Sequence, residues 1–238
     1  MKKAIIVGAS SGIGKELAQI LVRDGYRVGI TGRRLDLLEE LKAQNPDSYS
    51  ISSFDIRETE SSVVKLDQLT AELGGLDLLI VSSGTGDINP TLDFHIESTT
   101  IDTNVSGFTC VADWTFNYFL KQGQGHLVAI SSIAGIRGSS EAPAYNASKA
   151  YQINYLEGLR QKAAKVKRPI NITDIRPGLV DTAMAKGEGL FWVMPVEKAA
   201  RQIYNAITKK KRVATVTRRW RIIALLLRLL PRYIYDRI

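Results

Sequence analysis

Cysteine and histidine are nearly missing from this chain. Its 238 residues include one cysteine, Cys110, and two histidines, His95 and His126. A lone thiol cannot close an intramolecular disulfide or build a cysteine cage, and it suits a reducing compartment. Two histidines without ligand spacing leave little from which to assemble a metal centre, so no metal is expected. Long apolar runs are missing as well. The run in the tail, Ile222 to Leu227, falls far short of the roughly 20 residues that a spanning helix needs. The basic lead Met1-Lys2-Lys3 precedes only Ala4-Ile5-Ile6-Val7 before a glycine, too brief for the core of a secretion signal. These absences predict a cytoplasmic location. No repeat or low-complexity stretch is visible. A hydrophobic content of 45% with 19 glycines and 7 prolines is globular, and the length suits one open α/β sheet.

Positive charge is abundant but unevenly placed. The formal net charge is +8, yet residues 209–238 alone hold ten Lys or Arg and one Asp, a net +9, so the other 208 residues sum to −1. A near-neutral body offers no broad basic face, which argues against nucleic-acid binding.

The chain opens with a short buried-type strand, Ala4 to Val7, leading into Gly8-Ala9-Ser10-Ser11-Gly12-Ile13-Gly14. A helical pattern follows, with Ile13, Leu17, Ile20 and Leu21 on one face. Strand, glycine turn and helix in that order suit a phosphate: glycines let the backbone approach it, and the helix start supplies free N–H groups. The plainer alternative is a tight turn without a ligand. A second strand, Arg27 to Gly32, is followed by Arg33 and Arg34. An acidic residue here would accept from a ribose 2′-hydroxyl; basic residues suit a 2′-phosphate.

Helix and strand then alternate. Helices are expected over residues 35–43, 61–73, 99–120 and 145–165, with strands over 49–54, 76–81, 125–131, 170–175 and 213–216. Such alternation predicts a doubly wound parallel sheet of Rossmann type, with ligands beyond the strand C-terminal ends. Domain organisation is expected as one sheet domain, residues 1–217, followed by a basic, apolar helical tail, residues 218–238.

Tyr145 and Lys149 stand four residues apart and share one face of a helix. A phenol titrates near pH 10, but an ammonium at about 4 Å favours phenolate by roughly 4 kcal/mol at an effective dielectric of about 20. Burial opposes part of that shift. Tyr-x-x-x-Lys can thus yield a tyrosine that exchanges protons near neutrality, although the same spacing also describes a surface tyrosine beside a solvated lysine. Ser131 and Ser132 precede it and bring a hydroxyl from a different segment.

Taken together, these motifs resemble the short-chain dehydrogenase/reductase family, of its classical type, over residues 1 to about 217. The loop Gly8-Ala9-Ser10-Ser11-Gly12-Ile13-Gly14 matches the family's cofactor loop. Asp55, followed by Ile56, matches the acid that meets the adenine. Asn104 matches a helix asparagine that supports a water in the proton relay. Ser132, thirteen residues before Tyr145, matches the catalytic serine in preference to Ser131. Pro177, Gly178, Val180 and Thr182 match the segment that meets the nicotinamide. Two departures stand out: Val7 replaces a usual threonine, and Ser82-Ser83-Gly84 replaces an asparagine-containing segment. The two sites are expected to be neighbours.

The resemblance implies an NADP(H)-dependent oxidoreductase moving a hydride between nicotinamide and a carbonyl or alcohol carbon, with Asn104, Ser132, Tyr145 and Lys149 catalytic. Gly8, Ser10, Ser11, Gly12, Ile13, Gly14, Arg33, Arg34, Asp55, Ile56, Ser83, Gly84, Tyr145, Lys149, Pro177, Gly178, Val180 and Thr182 would bind NADP. It also implies a homo-oligomer, dimer or tetramer. The alternative is a cofactor-sensing or membrane-associated protein that keeps the fold without turnover. Residues 183–194, with Phe191-Trp192-Val193-Met194, read either as a lid over an apolar substrate or as ordinary packing. In the tail, mixed arginine, tryptophan and leucine suit peripheral contact with a membrane. They equally suit packing on a partner subunit or over the substrate mouth.

Overall fold

The computed structural model describes residues 1–184 and 191–237, with Arg218 described by its backbone alone. Among these residues the strands form one seven-stranded sheet in the order β3-β2-β1-β4-β5-β6-β7, every pair parallel. The strands are β1 (Lys3–Val7), β2 (Arg27–Gly32), β3 (Tyr49–Ser53), β4 (Leu78–Val81), β5 (Gly125–Ile130), β6 (Ile170–Pro177) and β7 (Val213–Val216). The expected doubly wound sheet is present. Its order reverses between β1 and β4, which opens a crevice above their C-terminal ends.

Parallel strands covered on both faces must be apolar on both, and successive side chains divide between two cores. Ala4 and Ile6 of β1 join Leu17, Leu21, Leu38, Leu41 and Ile203 on one face. Ile5 and Val7 join Leu66, Leu69, Phe108, Phe116 and Leu156 on the other. The first core is roofed by α1 (Gly12–Arg23), α2 (Leu35–Ala43) and α7 (Val196–Thr208), the second by α3 (Thr59–Leu73), α5 (Phe108–Gln122) and α6 (Pro143–Val166). Helix α7 lies outside the elements expected from the sequence, although Val196, Ala199, Ala200, Ile203, Ala206 and Ile207 repeat at helical spacing.

The long helix expected over 99–120 differs in the structure. It begins earlier, as α4 (Phe94–Ile101), passes through a π-helical turn over Asp102–Gly107, and resumes as α5. The wider turn carries Asn104 and buries it completely. Such single π turns cluster at functional sites.

The tail forms α8 (Arg218–Leu229) and α9 (Arg232–Tyr235). Trp220 and Ala224 pack with Ile133 in a small third core, flanked by Ile136, Leu179 and Ile223. Among the described residues no helix is long and apolar enough to cross a membrane.

Candidate active site

The crevice is a cavity of about 1150 Å³ running from the glycine loop to the tail. Small-ligand pockets typically span roughly 300–1,000 Å³, so there is room for a dinucleotide and a second molecule together.

At one end the loop is shaped by steric necessity. Gly8 has φ +93°, and a Cβ there would stand 2.5 Å from the Ser83 backbone nitrogen. Ser82 and Ser83 both donate backbone N–H bonds to the Val7 carbonyl, so Val7 and the Ser82-Ser83-Gly84 segment are indeed neighbours. A Cβ on Gly14 would strike the Gly8 carbonyl oxygen. Gly14 therefore seats α1 against the loop, and it is absent from the cavity wall. Arg34 Nη2 donates to Ser10 Oγ at 2.8 Å and to Ser11 Oγ at 2.7 Å, gathering a guanidinium and two hydroxyls beside the start of α1. Arg33 extends into solvent and reaches Asp55 at 3.9 Å. Burial alone would raise the Asp55 carboxyl, but hydrogen bonds and charge from Arg57 hold it below the usual carboxylate range.

At the other end lie the proton-handling groups. Burial lifts the Tyr145 phenol above its ordinary range, and the neighbouring Ser132 hydroxyl pulls the other way without overcoming it. Lys149 does not deliver the expected downward pull. Its Nζ stands 5.7 Å from the Tyr145 ring centroid, tied to the Ile130 carbonyl at 3.2 Å and Gln152 Oε1 at 3.1 Å. Burial drops the Lys149 pKa to about 8, against an opposing pull from the Asp174 carboxylate. Below pH 8 the ammonium persists as a buried cation with neutral hydrogen-bond partners.

Asn104 lies behind the cavity rather than on its wall. Its Oδ1 accepts from the Thr85 backbone N–H, and its Nδ2 donates to the Thr85 carbonyl and Ser148 Oγ. Its backbone carbonyl accepts from Gln152 Nε2 at 2.9 Å. The Gln152 amide thus links Asn104 to Lys149. Ser131 turns away from the cavity centre: its Oγ donates to Asp174 Oδ1 and the Ile175 carbonyl. Buried Asp174 also accepts from Arg176 Nε at 2.7 Å.

All the other expected site residues border the one cavity: Gly8, Ser10, Ser11, Gly12, Ile13, Arg33, Arg34, Asp55, Ile56, Ser83, Gly84, Ser132, Tyr145, Lys149, Pro177, Gly178, Val180 and Thr182. Sequence reasoning missed Gln152, Asp174 and Glu97. Glu97 Oε2 accepts the Ala144 N–H and so fixes the first turn of the Tyr145 helix. Phe191 lines the cavity and lies 5.3 Å from Trp220, half-exposed rather than core. Residues 185–190 of the expected lid lie outside the described residues.

A family model described as short chain dehydrogenase matches residues 2–190. The chain belongs to the short-chain dehydrogenase family. An uncharacterised oxidoreductase of Myxococcus xanthus (strain DK1622) is 33% identical over 188 residues, covering 77% of this short-chain dehydrogenase and 74% of the relative. A short-chain dehydrogenase from Streptomyces avermitilis superposes with a TM-score of 0.83 at 24% identity, over 95% of this chain and 91% of the other. ElxO, in a structure with NADP bound, superposes with a TM-score of 0.79 at 22% identity, over 90% and 96%. The protein is thus an oxidoreductase of this family, and the two structures share its fold.

Proposed function

We propose that this dehydrogenase uses NADP(H) to interconvert a carbonyl and an alcohol on an apolar small molecule, and that reduction is the favoured direction. The observation that carries this reading is that Ser132, Tyr145 and buried Lys149 meet on the same cavity as the glycine loop.

The residues present fit the dinucleotide. Thr31 Oγ1 and Ser83 Oγ are buried on residues lining the cavity and have no partner among the described residues, and buried polar atoms of that kind need one. A Cβ on Gly12 would crowd Thr182, and one on Gly84 would crowd Lys149 on the cavity wall and Asn104 behind it. Ser10, Ser11 and the N–H groups of α1 would hold phosphate, and Arg33 and Arg34 the 2′-phosphate, as charge-assisted donors. The NADP bound by ElxO supports the same choice. When bound, the cofactor supplies the hydride.

The chain's own residues do the rest. Ser132 and Tyr145 donate hydrogen bonds to the carbonyl oxygen as negative charge develops there. The phenol proton passes to that oxygen, completing the alcohol. A phenol that burial keeps protonated starts in the form required of an acid. Lys149, a cation at neutral pH with its Nζ 5.7 Å from the Tyr145 ring centroid, would bind the nicotinamide ribose. Leu179, Met184, Phe191 and Trp220 give the far end of the cavity an apolar wall, which favours an apolar substrate. Assembly as a homodimer or homotetramer is part of the same reading. A sensor or scaffold would have no use for Ser132, Tyr145 and Lys149 assembled on one cavity.

The test is NADPH oxidation across short- and long-chain ketones, aldehydes and β-keto thioesters, with NADH in parallel. Tyr145→Phe should bind NADPH with wild-type affinity and lose at least ~10²-fold in kcat. Retention of most of kcat, or equal use of NADH, would refute the corresponding part of the reading.

A further inference from the structure

Helix α8 has two apolar faces with different surroundings. The inner face packs Trp220 and Ala224 on the body, and Leu227 lines the cavity. The outer face presents Ile222, Leu225, Leu226 and Leu229, which are 62, 56, 57 and 70% exposed. At about 100° per residue these four fall on one stripe opposite Trp220. Exposed Arg219 borders one side of the stripe, and exposed Arg221 and Arg228 the other. Trp192, half-exposed, extends the apolar surface beside Trp220, with the Arg219 guanidinium 5.8 Å above its ring.

We propose that α8 docks this protein on an anionic lipid bilayer through the Ile222–Leu225–Leu226–Leu229 stripe, with the arginine rim on the headgroups. An apolar stripe rimmed by cations, with an aromatic at its edge, is the signature of a helix lying in the interface. Charge selects the occupant. Residues 209–238 contain ten basic side chains and one acidic one, so a twofold contact between copies would set arginine rims against each other, whereas anionic headgroups neutralise them.

The helix is also anchored well enough to orient the molecule. Arg137 Nε donates to the Leu227 carbonyl at 2.7 Å, and its Nη2 donates to the Leu230 carbonyl. The same guanidinium lies 5.4 Å above the Tyr235 ring. The Arg137 carbonyl accepts from Asn146, next to Tyr145. The carbonyls at the end of α8 are thereby tied to the segment before the catalytic helix. A docked stripe consequently holds the cavity mouth beside the lipid and, where the proposed reductase chemistry holds, admits carbonyl compounds dissolved in the bilayer.

The test is co-sedimentation of the full chain with vesicles of phosphatidylglycerol and phosphatidylcholine, against phosphatidylcholine alone. Leu225→Ser/Leu229→Ser and Arg221→Glu/Arg228→Glu are run beside wild type, with native mass measured for each. Binding should be at least tenfold stronger on the anionic vesicles and weaken in 0.5 M salt, as screening requires. Both variants should lose at least tenfold in partitioning while NADPH binding and turnover of a water-soluble ketone stay unchanged. Those last readouts report separately on the proposed reaction. A wild-type chain that stays in the supernatant, binding indifferent to both variants, or a leucine variant that instead halves the native mass would overturn the proposal; the last result would make the stripe an assembly surface.

Discussion

Lys149 shows how far a residue of the proposed active site can oppose stability. The side chain is almost fully buried, and its pKa falls from 10.5 to about 8. Between those values the unfolded chain holds a proton that the folded chain has released, so this group's contribution to stability rises with pH. Below pH 8 its full penalty is present, at most about 3 kcal/mol from the size of the shift. Lys149→Met should therefore abolish most turnover and weaken cofactor binding, yet gain about 1–2 kcal/mol at pH 7 after loss of the bonds to Ile130 and Gln152. Urea unfolding at pH 7 and pH 9.5 checks this: the variant's advantage should shrink at the higher pH. An advantage independent of pH would mean that packing, rather than the buried charge, is responsible.

At the scale of elements, Gly178 explains how the tail reaches the sheet. Its backbone N–H donates to Val216, and a Cβ there would lie 2.2 Å from the Trp220 indole. The ring rests directly on this glycine at the end of β6. Gly178→Ala should displace Trp220 and cost about 1–3 kcal/mol, the usual range for overpacking. The tail arginines should then be cut by trypsin faster than in wild type, while circular dichroism stays unchanged. Cleavage at the wild-type rate would mean that α8 is held by Arg137 alone. The π turn at Asn104 belongs to this scale too. Its extra residue per turn is invisible to a 3.6-residue pattern, so the sequence suggested one unbroken helix where the structure has a widened turn.

For the whole molecule, acid sensitivity should pass through His126 on β5. Burial lowers its pKa to about 4, assisted by Lys210, and its Nε2 lies 2.8 Å from Thr173 Oγ1. An imidazole kept neutral in the fold must charge on unfolding, so its contribution is present above pH 6.5 and is lost as pH falls from there towards 4. Wild type should lose about 2–3 kcal/mol through this group between pH 7 and pH 4.5. His126→Gln should flatten that part of the profile, read from urea midpoints at the two pH values. An identical loss in the variant would place the acid response elsewhere.

The sheet, the glycine turn and the Tyr145–Lys149 pair were legible in the sequence because each is a local matter. Strand hydrophobicity, a glycine turn at a helix start and four-residue helical spacing are written in neighbouring residues. Folding decided what depends on distant partners. Ser132 rather than Ser131 faces Tyr145 because Asp174, 43 residues along the chain, captures the other hydroxyl. Gln152 joins Asn104 to Lys149 because a chain position 48 residues from Asn104 comes to lie beside its carbonyl. In the tail, leucines and arginines alternate so that two faces of α8 are apolar, and no periodicity can say which is buried. Arg137, 90 residues before Leu227, and the bare backbone of Gly178 settle it, since only one orientation lets the guanidinium reach the helix end while the indole lies flat on glycine.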